Sequence, residues 1–297
     1  MRQLRILVSR HSAFYSPLIA TLAAGFLERE GLSASYRPLA PSERAQELIA
    51  RDEADVIQSA VSSSWLLLER GETPVGVHFA QINQRDGFFL AARQRHSPFE
   101  WKMLEGRTLL ADHAAQPLAM LQYAVQRQGA DWGRIRVLDA GTPEQIAEAF
   151  RCGEADYAHL QGPAAQHLEH EGAGCVAASV GEAMPPVAFS SLLASRRFLE
   201  TEAGRAFLRA YSRAREWVRA TPAQDVAACQ ASFFPGTPLP ALAAAILRYQ
   251  ALGCWEGGLG IPRDLYEQAL EVFLHARMIT RRWAYEEVVA APPGDPQ

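Results

Sequence analysis

Lysine is nearly missing from this chain: Lys102 stands alone among 29 basic side chains, and all the others are arginine. Any reaction that needs a lysine Schiff base therefore has a single candidate. Cysteine is sparse too. Cys152, Cys175, Cys229 and Cys254 form no C-x-x-C pair, which excludes a zinc knuckle and a redox dithiol. No apolar run reaches the length of a membrane-spanning helix, so membrane insertion is not expected. The net charge of −4 offers no basic face, so nucleic acid is not an expected partner. No Ser/His/Asp order, paired-carboxylate motif or glycine-rich phosphate loop stands out, and no catalytic residue is nominated. Met1 to Val8 read as a strand rather than a secretory leader. As written, that predicts a cytoplasmic chain, or a periplasmic one if the true N-terminus is missing.

What is present is alternation. Apolar runs of strand length occur at Arg5–Ser9, Ser33–Pro38, Asp55–Ser59, Val75–Gln81, Phe88–Ala92, Thr108–Ala111, Ile135–Asp139, Tyr157–Leu160 and Val187–Ala194. Helical patterns fall between most of them, at Pro17–Glu30, Ser42–Arg51, Ser62–Glu69, Pro117–Gln128, Pro143–Cys152 and Ala164–Glu171. Such an order predicts βαβ units and parallel sheets, and 297 residues suit two lobes. Beyond Arg196 only helices follow: Arg197–Ala220, Pro222–Ser232, Pro238–Leu252, Pro262–Ala276 and Tyr285–Val289. They are expected to cover the first lobe. A proline-rich tail, Ala290–Gln297, is expected to be disordered.

The two halves echo each other. Ser42-Glu43-Arg44 opens a helix, and Arg51-Asp52-Glu53-Ala54-Asp55-Val56 then leads into a strand and a polar turn. Thr142-Pro143-Glu144 opens another helix, and Arg151-Cys152-Gly153-Glu154-Ala155-Asp156-Tyr157 leads into a second strand and polar turn. Two similar lobes that face each other form a cleft. The stretch Ser9–Gly31 runs from a strand through a polar turn straight into an amphipathic helix, which aims free N–H groups out of the end of the strand. Plain helix capping by Ser12 is the competing reading.

The runs HSAFYSPLIATLAAGFLEREGL, RDGFFL, LEGRTL, RFLETEAGRAFLRAYSRAREWVRATP, GCWEGGLGIPRDLYEQALEVFLHARMI and YEEVV, with the two E-A-D turns, resemble type II periplasmic binding proteins. The branch they are most similar to is the sulfonate-, nitrate- and thiamine-pyrimidine-type binding proteins, over about residues 4 to 290. That resemblance implies an α/β fold of two lobes, each a mostly parallel sheet flanked by helices, with the C-terminal helices on lobe one. Crossovers then map to Gln84–Ala92 and Ala183–Leu192. Lobe one is residues 1–86 with 188–297, and lobe two is 87–187. A small ligand clamped as the lobes close is the implied use.

Candidate contacts follow from the turns. In lobe one they are His11, Ser12, Phe14, Ser42, Ser59 and Ser62, whose hydroxyl and N–H groups cradle a polar group, with Phe14 for stacking. Arg85 on the crossover offers a planar fork for a carboxylate, with pairing to Asp86 as the alternative. In lobe two they are Asp112, His113, Gln116, Thr142, His159 and Gln161. Asp112 stands where the family often carries an anion turn, and it would repel a sulfonate or nitrate; helix capping is its other reading. His11, His113 and His159 fall on turns toward the cleft, but they show no metal-ligand spacing, so neither metal nor cofactor is expected.

Two functions remain open at this point. One is the solute-binding component of an ABC-type importer, with an ABC permease as partner and a small polar organic molecule as ligand, left chemically unchanged. The other is a cytoplasmic enzyme or sensor resembling the thiamine-pyrimidine synthases, which are thought to use a lysine-bound pyridoxal phosphate. Lys102 sits in what resembles a peripheral turn and the cysteine-rich motif is absent, so the first reading is preferred.

Overall fold

The computed structural model describes residues 1–293. Ten strands form two sheets: β1 (Arg2–Val8), β2 (Leu32–Pro38), β3 (Val56–Ser59), β4 (Gly76–Asn83), β5 (Phe88–Ala92), β6 (Thr108–Leu110), β7 (Arg136–Leu138), β8 (Tyr157–Gln161), β9 (Cys175–Ser179) and β10 (Ser190–Ser195). The first sheet runs β2-β1-β3-β10-β4 and the second β7-β6-β8-β5-β9. β1 lies parallel to β2 and β3, as β6 does to β7 and β8. In each sheet the next strand, β10 or β5, is antiparallel. The chain thus passes from the first sheet to the second after β4 and returns before β10. Each sheet with its flanking helices is one lobe of a two-lobed α/β fold.

The sequence echo has a physical cause in this repeated plan. Asp55 and Asp156 sit just before β3 and β8, the equivalent central strands. Each carboxylate accepts a backbone N–H from the neighbouring parallel strand: Arg5 N–H to Asp55 Oδ2 at 2.7 Å, and Thr108 N–H to Asp156 Oδ2 at 2.9 Å. Each aspartate's own N–H returns to the carbonyl of that same residue. Three residues earlier the chain takes positive φ, at Asp52 (57°) and Gly153 (92°), which ends the preceding helix. The motif therefore encodes a helix stop and a clip between two parallel strands.

Several boundaries depart from the sequence pattern. The pattern over Pro17–Glu30 resolves into a helix at Ser16–Ala23 and a separate 3-10 turn at Glu28–Glu30, because Gly25 at φ 70° turns the chain between them. The helix expected from Ser42 begins only at Ala45. Arg197–Ala220 is two helices, Arg196–Leu199 and Glu202–Ala220, the second capped by the Thr201 hydroxyl. β9 was not expected at all; its alanine-rich run carries little strand propensity and is held as an edge by β5.

The C-terminal helices pack on the first lobe, and two of them also reach the second. Helices Glu202–Ala220 and Ala223–Gln230 pack on Ser16–Ala23, as expected; Leu239–Ala251 packs chiefly on Ala223–Gln230 and also meets the second-lobe helix Ala164–His170, and Arg263–His275 touches Val61–Glu69 of the first lobe and Ala115–Arg127 of the second. Tyr249 shows why: its buried hydroxyl accepts the Gly162 N–H at 2.7 Å and donates to the Gly87 carbonyl at 2.9 Å. Of the tail, Ala290 still donates its N–H to His78, while residues 294–297 lie outside the described residues.

Candidate functional site

The lobes meet through direct hydrogen bonds. Ser12 Oγ donates to the Gly162 carbonyl at 2.6 Å, and the Ala13 N–H reaches the same oxygen at 3.2 Å. Ser62 Oγ donates to Gln116 Oε1 at 2.6 Å, and the Gln116 amide donates onward to the Phe189 carbonyl at 2.7 Å. Ser12 also accepts the Phe14 N–H at 3.1 Å, so it is the helix cap and the lobe contact together. Both serines and the glutamine are buried with their hydrogen bonds made, which casts them as closure contacts.

Between these contacts lies an inner chamber of about 190 Å³. Tyr15, Gln58 and Ser59 approach it from the first lobe, Gln116 and Gln161 from the second, and Phe88 and Phe189 from the crossovers. Among the described residues Arg10 is the one charged residue lining it, and sequence reasoning missed that residue. Its guanidinium lies 2.5 Å from Asp112 Oδ2, an ion pair without the alignment of a hydrogen bond, and 5.5 Å from the Phe88 ring centre. Asp112 spends its other oxygen on the Ala114 N–H at 2.9 Å. The charge that would repel an anion and the charge that would attract one thus cancel locally.

Gln161 keeps an unused acceptor here. Its amide nitrogen reaches the Tyr15 hydroxyl at 3.5 Å, while Oε1 is buried without a partner among the described residues. Gln58 Oε1 accepts from Ser9 Oγ at 3.0 Å and from the Arg10 N–H at 3.2 Å, which orients its amide in the same wall. Burial raises the Tyr15 pKa and keeps its hydroxyl protonated, able to donate. The chamber is therefore neutral overall and mixes donors with acceptors.

A second chamber, of about 390 Å³, adjoins the first and shares Arg10 and Gln161 with it. His11 and Ser12 line it. The His11 ring is fixed by Tyr36 Oη at 2.8 Å and the Phe233 carbonyl at 2.7 Å and stacks on Phe234, with centroids 4.6 Å apart. Burial lowers its pKa, which keeps it neutral. Phe233 ends the 3-10 turn Ala231–Phe233 and Phe234 follows it as the C-cap, where the sequence pattern predicts a helix only as far as Ser232.

Other expected contacts fall elsewhere. Phe14 is fully buried against Tyr249 and Phe189 and is core, not a stacking platform. Ser42 is an exposed turn residue and Thr142 an exposed capping-box residue paired with Gln145; neither lines a chamber. Arg85 pairs with neither a cleft group nor Asp86: it donates to the Gly181 carbonyl at 3.1 Å. The three histidines are not gathered. His113 is exposed, 3.7 Å from Asp139, and His159 is buried behind Phe88, ring centroids 4.3 Å apart, its pKa lowered to about 3 by burial. Among the described residues no group of three His, Cys, Asp or Glu is placed to hold a metal. Lys102 lies outside the cleft, in a 3-10 turn before β6. No helix among the described residues is long and apolar enough to cross a membrane.

Solved structures share this architecture. The chain superposes on the aliphatic sulphonate-binding protein SsuA of Escherichia coli with a TM-score of 0.74 at 15% identity, covering 98% of this chain and 93% of that one. SsuA of Xanthomonas axonopodis pv. citri, bound to MOPS, gives 0.73 at 14% identity, with 98% and 99% covered. At such identities the likeness shows the fold, and these neighbours are binding proteins rather than enzymes. In sequence, YtlA of Bacillus subtilis (strain 168), a binding protein by name only, is 27% identical over 244 residues, 81% of this chain and 73% of that protein. The model of the family described as NMT1/THI5 like matches residues 13–225, well over half of the chain, and the protein therefore belongs to that family.

Proposed function

We propose that the protein is the solute-binding component of an ABC-type importer, which holds a small polar organic ligand in the inner chamber, unchanged, for delivery to a permease. In this reading the lobes divide as residues 1–86 with 188–297 against 87–187, and the protein works in the periplasm. The observation that carries it is the inner chamber itself. Groups from both lobes converge there, its one cation is already neutralised by Asp112, and the buried Gln161 acceptor is left unused. Similarity to proteins named for solute binding supports the same reading.

The donor and acceptor set favours a neutral ligand with N–H groups over a bare anion, since an anion would have to break the Arg10–Asp112 pair. A thermal-shift panel of carboxamides, amino-heterocycles, carboxylates and sulfonates tests this. Neutral N–H compounds should raise the melting temperature, as a ligand specific for the folded state must. Gln161→Leu should weaken that binding about tenfold through one lost buried hydrogen bond. Methanesulfonate outperforming every neutral compound, or full affinity in Gln161→Leu, would contradict the assignment.

A further inference from the structure

The second chamber is too well formed to be a mere mouth. The inner chamber, at about 190 Å³, is smaller than the roughly 300–1,000 Å³ of ordinary small-molecule sites, whereas its neighbour at about 390 Å³ falls inside that range. The two share Gln161 and Arg10, so a molecule that fills the first meets the second at those side chains. The walls of the two differ in chemistry. The neighbour is faced by Phe233, Phe234, Pro143, Pro163 and Ala147. His11 adds an aromatic face there, because both its ring nitrogens are spent in the ring plane on Tyr36 and Phe233.

The cations at its edge are already used, and Glu144, the charge there with no ion pair among the described residues, is itself anionic. Arg151 bonds Glu171 at 2.5 Å and Glu148 at 3.3 Å, and His167 lies 3.7 Å from Glu171. An anionic group therefore gains little by lying there, while a flat apolar group gains contact on several sides. Resting on the proposed function, we infer that the ligand is bipartite: a neutral polar head in the inner chamber, and a planar apolar group in the chamber walled by His11, Phe233 and Phe234, with Gln161 at the junction. The fold thus selects for a tail as well as for a head.

Calorimetric titration of propanamide and 3-phenylpropanamide, which share a head and differ by a ring, tests this. The phenyl compound should bind at least about tenfold more tightly to the unaltered protein, the gain of burying one ring. Ala147→Trp, which places an indole in the second chamber, should erase that advantage while propanamide binding stays as it was. Thr237→Trp, at a half-buried position lining the same chamber, should reduce it and guards against misfolding of the first variant. Equal affinities of the two amides for the unaltered protein, or a preference for the phenyl compound that survives both tryptophans, overturns the inference and leaves the proposed function standing. Binding of neither amide overturns the inference, and the proposed function falls with it if the wider panel also gives no binder.

Discussion

Replacing Asp86 by asparagine should flatten the pH dependence of stability between pH 6.5 and 8 and raise the melting temperature at pH 8. Asp86 lies where the chain leaves β4 for β5, fully buried. One oxygen accepts the Phe88 N–H at 2.6 Å, and the other has no partner among the described residues. The charged groups beside it do not help: Arg85 points to the Gly181 carbonyl, and burial pushes the neighbouring Cys254 thiol up, so it stays neutral. Burial accordingly raises the Asp86 pKa from 3.8 to about 8.

The sign follows from proton counting. The unfolded chain releases this proton near pH 3.8 and the folded chain only near 8, so between those values the folded state binds more protons and loses stability as pH rises. Buried His78 and His159, each lowered to about 3, act in the opposite direction: they favour stability as pH rises, but only up to the ordinary histidine value of 6.5. From pH 6.5 to 8 the aspartate acts alone among these three, at up to about 1.4 kcal/mol per pH unit, or about 2 kcal/mol over the window. Chemical denaturation at four pH values would check it. A variant that keeps the wild-type slope would show that the carboxyl is ionised in the fold.

Gly181→Ala should cost about 1–3 kcal/mol or more, against a gain of at most about 1 kcal/mol from the better helix propensity of alanine. An added Cβ would stand 2.3 Å from the Asp86 carbonyl oxygen, and because that atom is backbone, no side chain can swing away to relieve it. The contact joins the two places where the chain changes lobes, so relief requires a shift of one crossover and with it a shift of the lobes. Gly258→Ala is the control, since its Cβ would meet nothing within 4 Å and should change stability by less than about 0.5 kcal/mol. Equal melting temperatures of both variants would contradict the close approach.

Much of the fold was legible because its signals are local. The alternation of strands and helices and the repeated E-A-D turn depend on residues within a few positions of each other, and a repeat of the same plan shows them twice. The second-lobe contacts of the C-terminal helices were not legible because their partners are distant: nothing near Tyr249 announces Gly87 and Gly162. The site was legible in part for the same reason. The turns holding Ser12, Ser59, Gln116 and Gln161 were visible as strand ends, but hydrogen-bond saturation was not, so serines that close the lobes look the same in sequence as serines that hold a ligand. Arg10 was overlooked beside His11 because only the fold brings Asp112 and Phe88 to it, and Phe14 was overvalued because burial is a property of its neighbours.

The most direct test is a crystal structure of the protein with the compound giving the largest thermal shift. Electron density for that compound, chemically intact, against Tyr15, Gln58 and Gln161, with Arg10 still paired to Asp112, is the predicted result. Density on an outer face of either lobe, or a transformed product in the cleft, would contradict a clamp that binds without changing its ligand.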